Sequence, residues 1–394
     1  MRCVALWAAM TRETKIRQNI RANLALKAER GLLRSLVVRD TLIDFSSNDY
    51  LGLARGLPEA SVMDPNTFRE RARGATGSRL ISGHSSFHIE VEDEIAAFHR
   101  SDSALVFSSG YLANISLLSA LTTRHTTILY DELIHASLRD GIRLSGAKSY
   151  SFRHNDCADL EELAKRFVGP VLIVIESLYS MDGDFAPLHQ IVALAEQYGA
   201  EVIVDEAHSV GIIEPEGRGL VTLLGIEARV LARTVTFGKA LGCHGAAVVS
   251  DQLVRQALIN QARGFIFSTA LPPHSLREIQ QSYRALPYLN QQRKQLNENI
   301  KLFSSLVPSA DPVVASSPIK VVLIPGNNQV VIAAQQLQQS GFSVVPIRAP
   351  SVPAGKERLR ICLHSFNQKQ DIVALAEALN SLRFVVRDAI VCNE

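Results

Sequence analysis

A two-lobed α/β architecture, its larger lobe built on a mostly parallel sheet flanked by helices, is the fold class this sequence predicts. Three features carry the expectation. Short, nearly all-apolar runs recur at Ala104–Phe107, Thr127–Tyr130, Val171–Ile175, Val202–Asp205, Thr234–Thr236 and Ala246–Val249, as strands buried on both faces require. Amphipathic stretches such as 157–167 and 187–199 separate them, so strand and helix alternate. A chain of 394 residues, 47% hydrophobic and 20% charged, can bury one large core and a smaller second one.

Residues 1–50 are expected to form an N-terminal arm. Met1 to Met10 hold one arginine and a short apolar run, too short to cross a bilayer, and Met10 is the expected start of the working protein. Over 11–34 charges alternate with Ile, Leu and Ala at helical spacing; Leu36–Asp40 and Leu42–Phe45 then read as short strands about an Asp40-Thr41 turn. The large domain is expected over 51–285 and holds the runs above. Pro272-Pro273 interrupts the pattern and opens a long polar helical stretch to about residue 307. A small α/β domain, expected over 286–394, places strands at Ile319–Ile324, Phe342–Pro346 and Arg358–Leu363 and helices near 328–340 and 367–382.

Acids and bases nearly balance, giving a formal net charge of +2 without a basic stripe, so neither nucleic acid nor membrane is an expected partner. Small molecules are. Cys3, Cys157, Cys243, Cys362 and Cys392 show no C-x-x-C spacing, which argues against a zinc site and a disulfide framework and fits a reducing cytoplasm.

The chemistry concentrates at strand ends, where ligands of doubly wound sheets collect. Asp205 closes one apolar run, and Lys239, in Thr236-Phe237-Gly238-Lys239, follows the next. An aspartate to keep a pyridine nitrogen protonated and a lysine to carry an aldehyde are what an enzyme needs to hold pyridoxal 5'-phosphate (PLP). His208, three residues beyond Asp205, is placed to reach the ring's phenolic oxygen, and His135 to stack on the ring face. Ser108-Ser109-Gly110-Tyr111, between a strand and a helix, offers backbone N–H groups and a helix dipole to a phosphate. Ser268-Thr269 could add hydroxyl donors. Taken singly each has a plainer reading: Asp205 as a helix cap, Lys239 as a solvated side chain, His135 as a structural imidazole, the Gly110 loop and Ser268-Thr269 as ordinary turns. Gly74–Gly83 is dense in glycine but follows no clear strand, so it fails the context test for a dinucleotide loop.

From about Phe45 to His364 the chain resembles the α-oxoamine synthases, PLP enzymes that condense an amino acid with an acyl thioester and release CO2. The resemblance rests on Ser47-Asn48-Asp49-Tyr50-Leu51-Gly52-Leu53, Gly77-Ser78-Arg79-Leu80, His135-Ala136-Ser137, Ser180-Met181-Asp182-Gly183-Asp184, Asp205-Glu206-Ala207-His208, Thr236-Phe237-Gly238-Lys239, Ser268–Pro273, and Val352-Pro353-Ala354-Gly355 before Arg358-Leu359-Arg360. It implies the aminotransferase-like fold type I with a seven-stranded sheet and a homodimer with shared sites. It also implies roles: Lys239 carries the cofactor as an internal aldimine, Asp205 pairs with the pyridinium, His208 meets the phenolic oxygen and His135 stacks. Ser180 and Thr236 would bond near the ring and phosphate, Gly110 and Tyr111 would meet the phosphate by backbone, and Thr269 would reach it from the neighbouring subunit. Asn48 and Arg360 would hold the amino-acid carboxylate.

Within the family the wording is nearest to the branch that makes 8-amino-7-oxononanoate from L-alanine and a pimeloyl thioester, on coenzyme A or an acyl carrier protein. Other branches, which make 2-amino-3-ketobutyrate, 5-aminolevulinate, sphingoid bases or signalling ketones, stay open, as does a PLP-binding module without turnover. Arg71, Arg73 and Pro65 before Gly74, and His244 after the lysine, depart from the small residues usual in the family, and bear on the acyl pocket rather than the cofactor site.

Overall fold

The computed structural model describes residues 13–57, 73–213, 216–307 and 316–391. The expected start at Met10, the departures at Pro65 and Arg71, and Cys3 and Cys392 lie outside the described residues. Contacts divide the chain into a larger unit of residues 45–320 and 361–376 and a smaller one of 1–44, 321–360 and 377–394. This division runs elsewhere than the expected bounds after residues 50 and 285. The helix Asn290–Leu306 falls in the larger unit because its polar side chains are used there. Arg293 donates to Leu286 O at 3.0 Å, and Asn299 Nδ2 to the carbonyls of His364 and Asn367 at 2.8 and 3.0 Å.

In chain order, strand β1 (Ile43–Asp44) belongs to the smaller unit. The larger unit then holds β2 (Ser103–Phe107), β3 (Thr127–Asp131), β4 (Lys148–Phe152), β5 (Val171–Glu176), β6 (Ala200–Asp205), β7 (Ala232–Thr236) and β8 (Ala246–Ser250). They form a seven-stranded sheet in the order β2-β8-β7-β6-β5-β3-β4. Only β8 runs antiparallel to its neighbours β2 and β7; the other pairs are parallel. From β3 the chain builds outward to β4, then crosses back and builds β5, β6 and β7 on the other side, so the direction switches between β3 and β5. A crevice outside the carboxyl ends opens at such a switch. Asp131, Glu176, Asp205 and Thr236 are the last residues of β3, β5, β6 and β7.

The apolar runs form these strands because helices cover both faces. Every residue of β5 is buried, and Ile173, Val174, Ile203 and Val204 join one core with Leu117 and Leu118 of the helix Gly110–Leu121 and Ile191 and Val192 of the helix Leu188–Tyr198. The apolar-run criterion misses β4, whose Lys148, Ser149, Tyr150 and Ser151 are exposed, because a terminal strand need not be apolar. The stretch expected as one long helix after Pro272 is two, Pro273–Ala285 and Asn290–Leu306, with Pro287 in the turn between them.

In the smaller unit, helix α1 (Lys15–Glu29) starts at Thr14, whose hydroxyl accepts from Arg17 N, and buries none of its residues. Residues 36–40 are not the expected strand; Leu36 and Val38 are exposed and the chain is irregular there. β1 pairs in parallel with β10 (Phe342–Ser343), and β11 (Val345–Ile347) pairs antiparallel with β12 (Arg358–Cys362), so the expected strand 342–346 is two. β9 (Ile319–Leu323) completes a sheet of order β11-β12-β9, and the last helix is Lys369–Val391. Among the described residues no helix is long and apolar enough to cross a membrane.

A buried ion pair fixes the glycine-dense segment before helix α2 (Ser86–Phe98). Arg79 lies bidentate on Glu92, at 2.8 and 3.1 Å, with both side chains nearly sealed from water. Glu92 Oε1 also accepts the Val106 N–H of β2 at 2.9 Å. Removing one partner strands a buried charge, so Arg79→Ala is expected to cost about 3 kcal/mol, with Arg255, 3.4 Å from Glu92, softening the loss. Urea unfolding should show a lower midpoint with an unchanged slope.

Candidate active site

The crevice at the switch is a cavity of about 290 Å³, entirely within the larger unit. Asn48, Gly110, Tyr111, His135, Asp205, His208, Thr236 and Lys239 all line it, so most residues singled out in the sequence come together. His244, in the same loop as Lys239, lines it too.

Asp205 is 5% exposed. Its Oδ1 accepts the Ala207 N–H at 2.9 Å and its Oδ2 accepts Asn114 Nδ2 at 2.7 Å. Asn114 sits four residues after Gly110 on α3 (Gly110–Leu121), the same face one turn on, and also donates to Ser137 Oγ at 2.9 Å. Both oxygens of a carboxyl group in a dry place thus have a donor. The residue after it, Glu206, is fully buried and anchors the turn carrying His208: its carboxylate accepts from Val221 N and Ser209 Oγ at 3.0 Å, with Arg233 at 3.5 Å.

His208 Nδ1 stands 2.7 Å from the hydroxyl of fully buried Tyr50, which also lies 3.2 Å from Asn48 Oδ1. A neutral ring carries one N–H: the tautomer with that hydrogen on Nε2 accepts the phenol's proton at Nδ1 and keeps a donor for the cavity. His135 caps helix α4 (Ala136–Ser145), its Nδ1 accepting from Ser137 N, and its ring faces Tyr111 edge-on. Its pKa is lowered, first by partial burial, with the Asp205 charge opposing and the Lys239 charge adding to the fall, so a neutral ring faces the cavity.

Lys239 stands in the loop between antiparallel β7 and β8, closed by Phe237 N to Gly245 O at 2.9 Å and Cys243 N to Phe237 O at 2.7 Å. Gly242 has φ +65°, and a Cβ there would come within 2.2 Å of Ala54 N, so the loop tolerates only glycine where it passes that backbone. A Cβ on Gly110 would meet Thr236 Cγ2 at 2.5 Å. The N-terminus of α3 therefore lies hard against the end of β7, where Thr236 Oγ1 is buried without a hydrogen-bond partner.

Three expected residues are not part of this lining. Among the described residues the lining does not include Ser180, which is buried in the turn after β5, or Thr269, which lines a separate small cavity with Arg79, His88, Ser108 and Ser268. Arg360, on β12 opposite Val345, is buried. Sequence reasoning overlooked Asn114, Ser137 and Glu176. Glu176 had a readable signal, since it ends an apolar run just as Asp205 does.

Behind the wall, His154 bridges two carboxylates, Nδ1 to Asp131 at 2.9 Å and Nε2 to Asp184 at 2.6 Å, with Tyr179 edge-on at 4.5 Å. Asp131 also accepts the N–H groups of Leu133 and Asn155. The β3–α4 turn that presents His135 is thereby tied to the turn holding Ser180.

Residues 40–379 match the family model for aminotransferase class I and II. The chain belongs to that family. Among curated class I and II relatives, the 8-amino-7-oxononanoate synthase of Saccharophagus degradans is 37% identical over 359 residues, 88% of this chain and 87% of that protein. The crystal structure of 8-amino-7-oxononanoate synthase from Francisella tularensis superposes with a TM-score of 0.73 at 30% identity, covering 89% of this chain and 99% of that one. A serine palmitoyltransferase variant from S. paucimobilis, with bound PLP-myriocin aldimine, gives 0.83 at 27% identity, covering 95% and 99%. The expected fold type I and the resemblance to the α-oxoamine synthases are both borne out.

The His154 bridge carries a pH signature. Burial lowers its pKa, but the hydrogen bonds and charges of Asp131 and Asp184 outweigh this and raise it to about 10 from the ordinary 6.5. A raised pKa means stability fully present below 6.5 and lost as pH climbs through 10. Wild type should therefore lose about 3 kcal/mol of unfolding free energy across that window, discounted for partial solvent contact, and His154→Gln should lose much less. Urea midpoints measured along the window check this.

Proposed function

We propose that this chain is a PLP-dependent α-oxoamine synthase that joins L-alanine to a pimeloyl thioester, giving 8-amino-7-oxononanoate, CO2 and the free thiol. The observation that carries the reading is one cavity lined by Lys239, Asp205, His208 and His135, in a chain 37% identical over 88% of its length to an 8-amino-7-oxononanoate synthase. The residues fit PLP on their own chemistry. A buried carboxylate suits a protonated ring nitrogen, and the unpartnered Thr236 Oγ1 beside the N-terminus of α3 suits a phosphate.

PLP, when bound, supplies an electron sink for the pair left on the amino acid's α-carbon. Asp205 would hold the proton on the ring nitrogen, His208 would donate to the phenolic oxygen, and neutral His135 would form one face of the slot. Gly110 and Tyr111 N–H and Thr236 Oγ1 would receive the phosphate, and Asn48 would bind the amino-acid carboxylate. Lys239 Nζ takes the α-proton and later returns one. Overall a carbon–carbon bond forms between the alanine α-carbon and the thioester carbonyl, the carbon–sulfur bond breaks with the thiol leaving, and the carboxylate departs as CO2. In this reading Thr269, which lines another cavity of its own chain, serves the partner's site in a homodimer.

A second reading, a synthase using L-serine and a long acyl chain, is supported by the higher TM-score to serine palmitoyltransferase, 0.83 against 0.73. Identity to the solved structures does not separate the two, 30% in each case, but the curated relative 37% identical over 88% of this chain supports the first.

Thiol release measured with alanine, serine and glycine against acetyl-, pimeloyl- and palmitoyl-CoA separates the readings. Alanine with pimeloyl-CoA is expected to give the highest kcat/KM; a maximum with serine and palmitoyl-CoA would replace the first reading by the second, and no release with any pair would reject both. Lys239→Ala is expected to lose about a thousandfold or more in kcat while folding normally, measured in the same assay with circular dichroism as the control.

A further inference from the structure

Glu176 ends β5 as Asp205 ends β6, and the two are Cα partners in that parallel pair. Adjacent strands lie about 4.8 Å apart and paired residues put their side chains on one face, so two carboxyl groups stand side by side in the cavity wall. They are 3% and 5% exposed. Two carboxylates that close in a dry site do not both ionise at neutral pH; one proton stays on the pair.

Hydrogen bonding decides which group keeps it. Both Asp205 oxygens accept from good donors, Ala207 N–H and Asn114 Nδ2. Glu176 Oε1 is buried without any partner, so ionising Glu176 would leave charge on an oxygen that nothing solvates. The groups facing it from neighbouring elements are Asp205 on β6, Lys239 after β7, Asp131 on β3, the His135 backbone N–H, and the Tyr179 phenol. Burial and the Asp205 charge outweigh Lys239 and raise the Glu176 pKa to about 8.

We propose that Glu176 is a positioning residue, a neutral carboxylic acid that leaves Asp205 as the single anion of the pair and whose ionisation ends activity at alkaline pH. A second anion there would favour the charged form of Lys239 and hold its Nζ as the ammonium, taking away the base. The catalytic consequence rests on the PLP reading; the location of the proton is a property of the protein alone.

The test therefore starts without cofactor. Infrared titration of the apo protein is expected to show a carboxylic-acid carbonyl band that Glu176→Gln lacks and that disappears with a midpoint of about 8. In Asp205→Asn, which removes the neighbouring charge, the midpoint should fall by about one pH unit or more, an arm that stands even if Glu176→Gln fails to fold. In the loaded enzyme, kcat/KM of wild type should drop about tenfold one pH unit above that midpoint, and the Glu176→Gln profile should lack the drop. No such band at neutral pH, a midpoint indifferent to Asp205→Asn, or an alkaline fall that persists in Glu176→Gln would each overturn the proposal. Absence of turnover with every substrate pair would reject the functional reading and leave the infrared result to stand.

Discussion

The Asp205 carboxyl group sits where little water reaches, and the two hydrogen bonds from Ala207 N–H and Asn114 Nδ2 satisfy its oxygens. Each donor depends on a larger element. Ala207 belongs to the turn that Glu206 nails down, and Asn114 is presented by α3, whose first turn packs against the end of β7 only because residue 110 is glycine. Shifting α3 would lose the donor to Asp205 and the neighbour of Thr236 together. The sheet, its first crossover helix and the buried carboxyl group therefore form one mechanical unit.

Around that carboxyl group the fold graduates its use of charge. Arg79 and Glu92, and Arg233 and Glu206, pair inside the protein and face no substrate. Asp131, His154 and Asp184 stand one layer behind the cavity and set the position of the turn bearing His135. Only Asp205, Lys239, His135, His208 and Glu176 reach the cavity with titratable atoms, along with Tyr111 and His244 among the described residues. Ion pairs that would be costly as isolated groups serve here to fix loop geometry.

Much of this was legible in the chain. Apolar runs marked the buried strands, and the position just past a run marked Asp205, Lys239 and His135, since a parallel sheet delivers its strand ends to one crevice. That rule reaches Glu176 equally well; an acid next to an apolar run was simply not weighed as a site residue. Asn114 and Ser137 were harder, because their meaning lies in Asp205 and His135, partners brought near by helix packing. Thr269 and Ser180 sit in segments whose neighbours in space cannot be inferred from periodicity. Leu36 to Val38 read as a strand by β-propensity, but without a pairing partner that propensity has nothing to act on.

The strand that escaped detection has one more property. β4 ends the sheet, and its outer row of backbone N–H and C=O groups is a template onto which another extended chain could add itself. Lys148, Ser149 and Ser151, exposed and polar, make such addition unrewarding, because an incoming strand would have to desolvate a charge and hydroxyls while gaining little apolar contact. The composition that hides β4 from an apolar-run search is thus also its protection against edge-to-edge aggregation.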